Sequence, residues 1–412
     1  MTTSLRGETI VCIAPRRWDA LWKETQAIMS RLAPDNRVLY VEPGRDPEHG
    51  VLAEAARNWP NLVRLTMREV RRNLLVIGSP PVLPHGRQHL PAGVLTMTMP
   101  LVMAVNAGVI IRHVRRAMRA RSVTSPILWL TDPYHAPLVG RFGEQLACYF
   151  NFDEFADMVG NRRVSGLIRR LDDTLTRQAD VVFATSRSQR DRRRIINPRT
   201  HLIPNAVNFE LFSRAATIAL PLPADLAELR RPIIGYTGWL TDHIDVPLLR
   251  RVAHAYPRCS LVLVGPDHLP SSPDLEGLRA CANVVFVGRK DQAALPAYLR
   301  AFDVALMPYR LVGHVPSAYP AKLHEYLAAG RSVVASALPE LEPYRDVLRL
   351  ARSDDHFVQL IAEALADDST TAVDARLAVA RENTWDQRVA EIRGILAPLV
   401  GRERVAGHRV LD

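Results

Sequence analysis

From Pro232 onward the chain repeats one unit: a short apolar run, a turn, an amphipathic stretch, then another apolar run. The strand-like runs are "PIIGYTG" (232–238), "CSLVLVGP" (259–266), "NVVFVG" (283–288), "DVALMP" (303–308) and "RSVVAS" (331–336); "DVPLLRRVAHAY", "QAALPAYLRAF" and "PAKLHEYLAAG" lie among them. Strands that are apolar on both faces and alternate with helices must be covered on both sides, which implies a parallel, doubly wound α/β sheet. The N-terminal half repeats the pattern more loosely, with strand-like runs at "TIVCIAP", "RVLYVEP", "NLLVIG", "PILWLTDP", "LACYFNF" and "DVVFATS", and helical periodicity over 100–121 and 162–179.

A chain of 412 residues is too long for one ordinary core, so two such domains in series are expected. In "NFELFSRAATIALPLPADLAELRRP" proline and small residues break both periodicities, placing a connection near 210–230. The expected division is an N-terminal domain over 1–215 and a C-terminal domain over 230–385. Open α/β sheets bind ligands beyond the carboxyl ends of their strands, so the strand-to-helix turns and the crevice between the domains are where a site is expected.

Charge is uneven. Residues 1–210 hold 30 Lys+Arg against 19 Asp+Glu, whereas the remainder holds 23 against 24. Leu90–Ile111 carries no charge, and Arg112, Arg115, Arg116, Arg119 and Arg121 follow it. Such a stretch fits a membrane span with positive flanks, but Pro91, Gly93, Pro100, Asn106 and Gly108 favour a buried or interfacial helix. The arginine-rich stretches "RRVSGLIRRLDDTLTRQ" and "SRSQRDRRRI" suit a nucleic-acid binder, although the aspartates in the first have the spacing of helical partners for its arginines. That pattern favours a solvated face, and no nucleic-acid partner is expected. The four cysteines are scattered without a CxxC pair and no export signal is evident, so a reduced, cytoplasmic protein is expected. No metal-ligand spacing and no phosphate-binding glycine loop occurs, and metal-independent chemistry without a bound cofactor is the expectation.

In "YPAKLHEYLAAGRSVVAS" (319–336), Pro320 suits the first turn of a helix and Gly330 its end. Leu323, Tyr326 and Leu327 form the apolar stripe, which puts Lys322 and Glu325 together on another face. A first-turn lysine at a helix start suits a phosphate, and a carboxylate one turn deeper suits a ribose diol. An exposed i, i+3 ion pair is the alternative.

"DVALMPYRLVGHVPSAYPAKLHEYLAAGRSVVAS" resembles the donor-site segment of GT-B glycosyltransferases, specifically the glycosyltransferase family 4-like group that builds bacterial surface polysaccharides. "HLIPNAVNFELF" (201–212), "RRWDALWKETQAIMSRLAPDNRVLYVEP", "PILWLTDPYHAPLVG" and "ACYFNFDEFADM" are similar to further parts of that group. The resemblance implies two Rossmann-like domains facing a central cleft, with residues 386–412 forming a C-terminal helix packed back on the N-terminal domain. It also implies a nucleotide-diphosphate sugar donor on the C-terminal domain, with Glu325 on the ribose and retention of anomeric configuration. Acceptors of this group are glycans or lipid-linked sugars, and a lipid-linked acceptor would bring the protein reversibly to an anionic membrane surface.

Two positions depart from the group's pattern. Ser317 stands where the first glutamate of Glu-x7-Glu is common, and "GYTGWLTDHID" offers Asp242, His243 and Asp245 where an Arg/Lys pair is usual. The diphosphate then falls to Lys322, Arg289 and Arg310, with Gly238, Trp239 and the Gly288–Lys290 turn completing the expected donor site. Asp132 and His135 in "TDPYH", and Asp153 in "NFDEF", are the candidate catalytic residues on the acceptor side; capping of turns is the alternative for both aspartates. A sugar-nucleotide epimerase shares this two-domain plan.

Overall fold

The structure is a computed structural model that describes residues 5–44, 56–83, 92–366 and 369–401. The chain divides into two compact units, residues 1–204 with 388–412, and residues 205–387. The segment 210–230, expected as connecting chain, belongs to the second unit, which begins at Asn205: Phe212, Ala215 and Leu226 are part of its core.

Among the described residues, the first unit holds β1 (Thr9–Ile13), β2 (Arg37–Val41), β3 (Met67–Arg71), β4 (Leu74–Ile77), β5 (Ile127–Leu130), β6 (Leu146–Asn151), β7 (Val181–Ala184) and β8 (Thr200–Leu202). They form one sheet in the order β3-β4-β2-β1-β5-β6-β7-β8. Every pairing is parallel except the edge pair β3–β4. The strand order reverses between β1 and β5, which opens a crevice at their carboxyl ends.

One face of this sheet is covered by the helix Ala92–Ala120, which presses Val114, Ala117 and Met118 against Val11, Leu39 and Leu128. His113 fixes it further, its Nε2 2.7 Å from the carbonyl of Gly78. The helix begins earlier than the expected 100 because Pro100 lies inside it on an exposed face; Leu90 and Pro91 lie outside the described residues. Trp129 stacks on Phe150 and Phe183 with centroids 5.8 and 5.5 Å away. The final helix, Trp385–Leu396, contributes to this unit through Arg393, which reaches Asp35 at 2.8 Å and donates to the carbonyl of Arg31 at 2.8 Å. Residues 402–412 lie outside the described residues.

The second unit holds β9 (Ile233–Thr237), β10 (Ser260–Val264), β11 (Val284–Gly288), β12 (Val304–Met307), β13 (Ser332–Ser336) and β14 (Arg349–Ala351). Their order is β11-β10-β9-β12-β13-β14, all parallel, as the uninterrupted apolar runs require. Core clusters cover both faces. The strand order reverses between β9 and β12, so the turns after these two strands flank the second unit's crevice.

Candidate functional site

In the second unit the chain leaves β9 through Gly238 and leaves β10 through Gly265, both at φ +148. A Cβ on Gly265 would stand 1.8 Å from the carbonyl oxygen of Gly238, so only glycine allows these two turns to touch. A Cβ on Gly238 would stand 2.6 Å from Lys322 Cε, which puts the β9 turn directly against the Lys322 side chain.

Lys322 opens the helix Lys322–Ala328, whose Leu323, Tyr326 and Leu327 are fully buried, as their spacing predicts. Gly330, at φ +68, ends it: its amide bonds to the Leu327 carbonyl and the Arg331 amide to that of Tyr326, a Schellman closure. Lys322 Nζ lies 3.7 Å from Glu325 Oε2, with the two side chains 23% and 13% exposed. This is an ion pair in a half-closed site, not on a solvated face. Glu325 Oε2 is buried and accepts no hydrogen bond, an unspent acceptor at the carboxyl end of the sheet.

Three phenols surround this carboxylate. Tyr326 Oη accepts from the Thr237 amide at 2.9 Å, and Tyr236 Oη donates to the Trp239 carbonyl at 3.1 Å. Burial, with the negative charge of Glu325 adding to it, pushes Tyr236, Tyr309 and Tyr326 above the ordinary phenol range, so all three stay neutral donors. These tyrosines were not anticipated as site residues, and neither was the buried chain beneath the helix. There Tyr319 Oη lies 2.7 Å from His324 Nε2 and 2.7 Å from Tyr344 Oη. Tyr326 was marked only as core by its period; nothing local marks the others.

The remaining expected donor residues divide. Trp239 stacks on His268 at 5.2 Å, and Gly288, at φ +76, has open space where a Cβ would be. Arg289 and Arg310 are exposed, and the Arg310 amide bonds to the His243 carbonyl at 2.9 Å, joining the β12 turn to the segment after β9. Ser317 ends a short 3-10 turn and is half-buried. Lys290 is held by Asp225 at 2.8 Å and covers the Tyr298 ring. Burial opposes ionisation of Asp225, but hydrogen bonds from Lys290 and Tyr298 outweigh it and lower its pKa. Asp245 caps the helix Val246–Ala255 through the Leu248 amide, a structural duty.

In the first unit Asp132 accepts from the Tyr134 amide at 2.9 Å and caps the 3-10 turn Pro133–Leu138. Asp153 Oδ1 likewise accepts from the Glu154 amide at 2.9 Å. Asp132 therefore caps a turn, while Asp153 holds the amide that follows it. Asp132 and His135 nevertheless line a cavity of about 460 Å³ at the β1/β5 reversal, whereas Asp153 is not among its lining residues. A second cavity, of about 430 Å³, lies in the second unit against Arg231, Arg300 and Arg331, whose guanidiniums bond to backbone carbonyls and, for Arg231, also to Asp303 at 2.9 Å. Among the described residues no three His, Cys, Asp or Glu side chains gather as metal ligands.

Within "SRSQRDRRRI" Arg193 points inward and Arg192 is half-buried, whereas Arg187 and Arg194 are exposed. Arg193 is 1% exposed and bonds to Glu154 at 2.5 Å and Asp172 at 2.9 Å, while Arg192 bonds to Glu154 and Asp173, each at 2.9 Å. Asp172 and Asp173 thus pair with the neighbouring helix, Arg187–Arg194, rather than with arginines of their own helix as their spacing suggested.

Residues 231–367 match the family model described as glycosyl transferases group 1. A putative teichuronic acid biosynthesis glycosyltransferase, TuaH, of Bacillus subtilis (strain 168) is 30% identical over 141 residues, 34% of this chain and 35% of the relative. The match thus spans about a third of that relative's length. Among solved structures, sucrose-phosphate synthase from Thermosynechococcus elongatus superposes with a TM-score of 0.67 at 19% identity, covering 95% of this chain and 99% of its own. The structure of "trehalose-6-phosphate from E. coli bound with UDP-2-fluoro glucose" gives a TM-score of 0.66 at 14% identity, covering 96% of this chain and 100% of its own. The chain has the GT-B fold of these structures, and its residues 231–367 match the glycosyl transferases group 1 family model.

Proposed function

We propose that the protein transfers a sugar from a nucleotide-diphosphate donor to a hydroxyl of a glycan or lipid-linked acceptor in cell-surface polysaccharide assembly, with retention of anomeric configuration and without a divalent metal. The observation that carries this reading is Glu325: a buried carboxylate oxygen with no hydrogen bond, 3.7 Å from a lysine ammonium, inside the segment that matches the glycosyl transferases group 1 family model. A ribose diol would supply the missing donors. Lys322 meets the diphosphate, assisted by the exposed Arg310 and Arg289; Lys290, already held by Asp225, takes no part beyond its backbone. The fold's occurrence with a bound UDP-sugar analogue supports a nucleotide-diphosphate donor, and the teichuronic acid relative supports a surface polysaccharide.

On the acceptor side His135 and Asp132 are the groups placed to orient a hydroxyl, since both line the cavity of the first unit. We further propose a cytoplasmic protein that meets the membrane from its inner face. The helix Met97–Ala120 has the length and mean hydropathy, 1.4, of a span. Its packed residues His113, Val114, Ala117 and Met118 argue for a core helix with one exposed apolar face instead.

The test is release of nucleoside diphosphate from a panel of sugar nucleotides, with and without a chelator, followed by the anomeric assignment of the product. Turnover of one donor, undiminished by chelator and with the donor's anomeric configuration kept, is expected. No turnover or binding of any sugar nucleotide would defeat the reading.

A further inference from the structure

The cavity of about 460 Å³ in the first unit has a chemistry that a bare sugar does not match. Its walls are Ile13, Val41, Val82, Met103, Ala107 and Ile110, together with Val164 and Ile168 from the facing helix Arg162–Gln178. Polar groups on the same lining include Asp132, His135 and Glu42. Sugars bind through many hydroxyls, each of which would be left without a partner against such walls. An apolar body carrying a polar end fits them.

The helix Ala92–Ala120 joins this cavity to the outside surface. One side of it lines the cavity with Met103, Asn106, Ala107 and Ile110, while Met97, Leu101 and Val105 stand exposed on another, followed by exposed Arg112, Arg115, Arg116 and Arg119. An apolar face continued by a row of arginines complements an anionic headgroup layer, where a hydrocarbon chain attached to a sugar resides.

We infer that this cavity receives the first part of an aliphatic chain on the acceptor, so that the acceptor is lipid-linked and its hydroxyl is presented toward Asp132 and His135. The inference rests on the glycosyltransferase reading and selects one of its two acceptor classes.

The experiment measures binding of n-alkyl glucosides from hexyl to decyl, below their micelle concentrations, to the full chain, with UDP binding followed in parallel. Affinity should rise about fourfold per added methylene while the chain remains inside the cavity. Ala107→Phe, from the helix wall, and Val82→Trp, from the loop after β4, should each abolish that rise and leave UDP binding intact, which also shows that the variants fold. Affinity independent of chain length, or a chain-length dependence that survives both variants, overturns the lipid inference while leaving the transferase reading in place. Failure of the sugar-nucleotide panel strikes the transferase reading instead.

Discussion

Lys322 Nζ and Glu325 Oε2 lie 3.7 Å apart, too far for a hydrogen bond, on side chains that are both mostly enclosed. A pair optimised for stability would close that distance, because an enclosed carboxylate left short of donors is costly. A ligand that supplies donors to Glu325 is therefore expected here.

Removing either side chain should therefore separate two parts of the ligand. Glu325→Ala is expected to weaken the nucleoside diphosphate selected by the sugar-nucleotide panel and its parent nucleoside alike, by roughly tenfold or more for one lost charge-assisted hydrogen bond. Lys322→Ala should weaken the diphosphate strongly and the nucleoside little. Calorimetric titration of both ligands decides the matter, and equal losses on the two for Lys322→Ala would remove the phosphate role.

The contact between the β9 and β10 turns predicts a steep contrast among glycines. Gly265→Ala drives a Cβ to 1.8 Å from the Gly238 carbonyl, with backbone on both sides, and should cost well over about 2 kcal/mol while displacing the turn on which Lys322 rests. Gly288→Ala meets open space and suffers only its positive φ, about 1–2 kcal/mol. Unfolding midpoints of the two variants should differ accordingly.

Arg193 predicts an equally sharp contrast among arginines. Arg193→Met takes the buried cation from Glu154 and Asp172, leaving them only Arg192 and the Tyr149 hydroxyl, and should cost about 3–5 kcal/mol. Arg169→Met breaks an exposed pair with Asp157 and should cost less than about 1 kcal/mol. Denaturant melts of the two variants measure this, and similar small losses would mean that the buried network is only loosely formed.

What the sequence disclosed follows from how local each signal was. The strands of the second unit were legible because each is a continuous apolar run, and the helix of Lys322 because Leu323, Tyr326, Leu327 and Gly330 mark it within nine residues. β3 was missed: "MREVR" is an antiparallel edge strand, half in water, with no apolar run to betray it. Nothing in the sequence marked Arg193 as buried, because its partners lie 39 and 21 residues away and meet it only on folding. For the same reason the spacing of Lys322 and Glu325 left an exposed pair open as an alternative. Their enclosure comes from Gly238, Tyr236 and Tyr309, all remote in the chain.

His113 ties stability to pH. Burial lowers its pKa, with nearby Arg116 adding to this and the Gly78 carbonyl opposing it. A depressed imidazole pKa means that its contribution is whole above the ordinary value of about 6.5 and is lost as pH falls from there through the folded value. His201 shifts in the same direction. Unfolding free energies compared at pH 7.5 and 5.5 should therefore fall on acidification, and fall less in His113→Gln. Identical pH slopes in both proteins would show that the imidazole is not held neutral.

The helix Ala92–Ala120 carries the last prediction. Arg115 and Arg116 each give one hydrogen bond to a carbonyl, of Arg141 and Val63, yet both remain exposed with their charge outward, beside Arg112 and Arg119. Each basic group near an anionic surface is worth about 1 kcal/mol, so these four together are expected to give reversible attachment, with Met97 and Leu101 inserting shallowly. The attraction is electrostatic and screens within about 10 Å at 0.1 M salt. Flotation with anionic vesicles at low ionic strength should bring the protein up with the lipid, high salt should release it, and neutral vesicles should leave it behind. Replacing Arg112, Arg115, Arg116 and Arg119 by glutamine should abolish flotation while sparing UDP binding. Resistance to high salt and carbonate would instead mean that the helix leaves its packing on the sheet and crosses the bilayer, and indifference to lipid charge would leave these arginines without a membrane role.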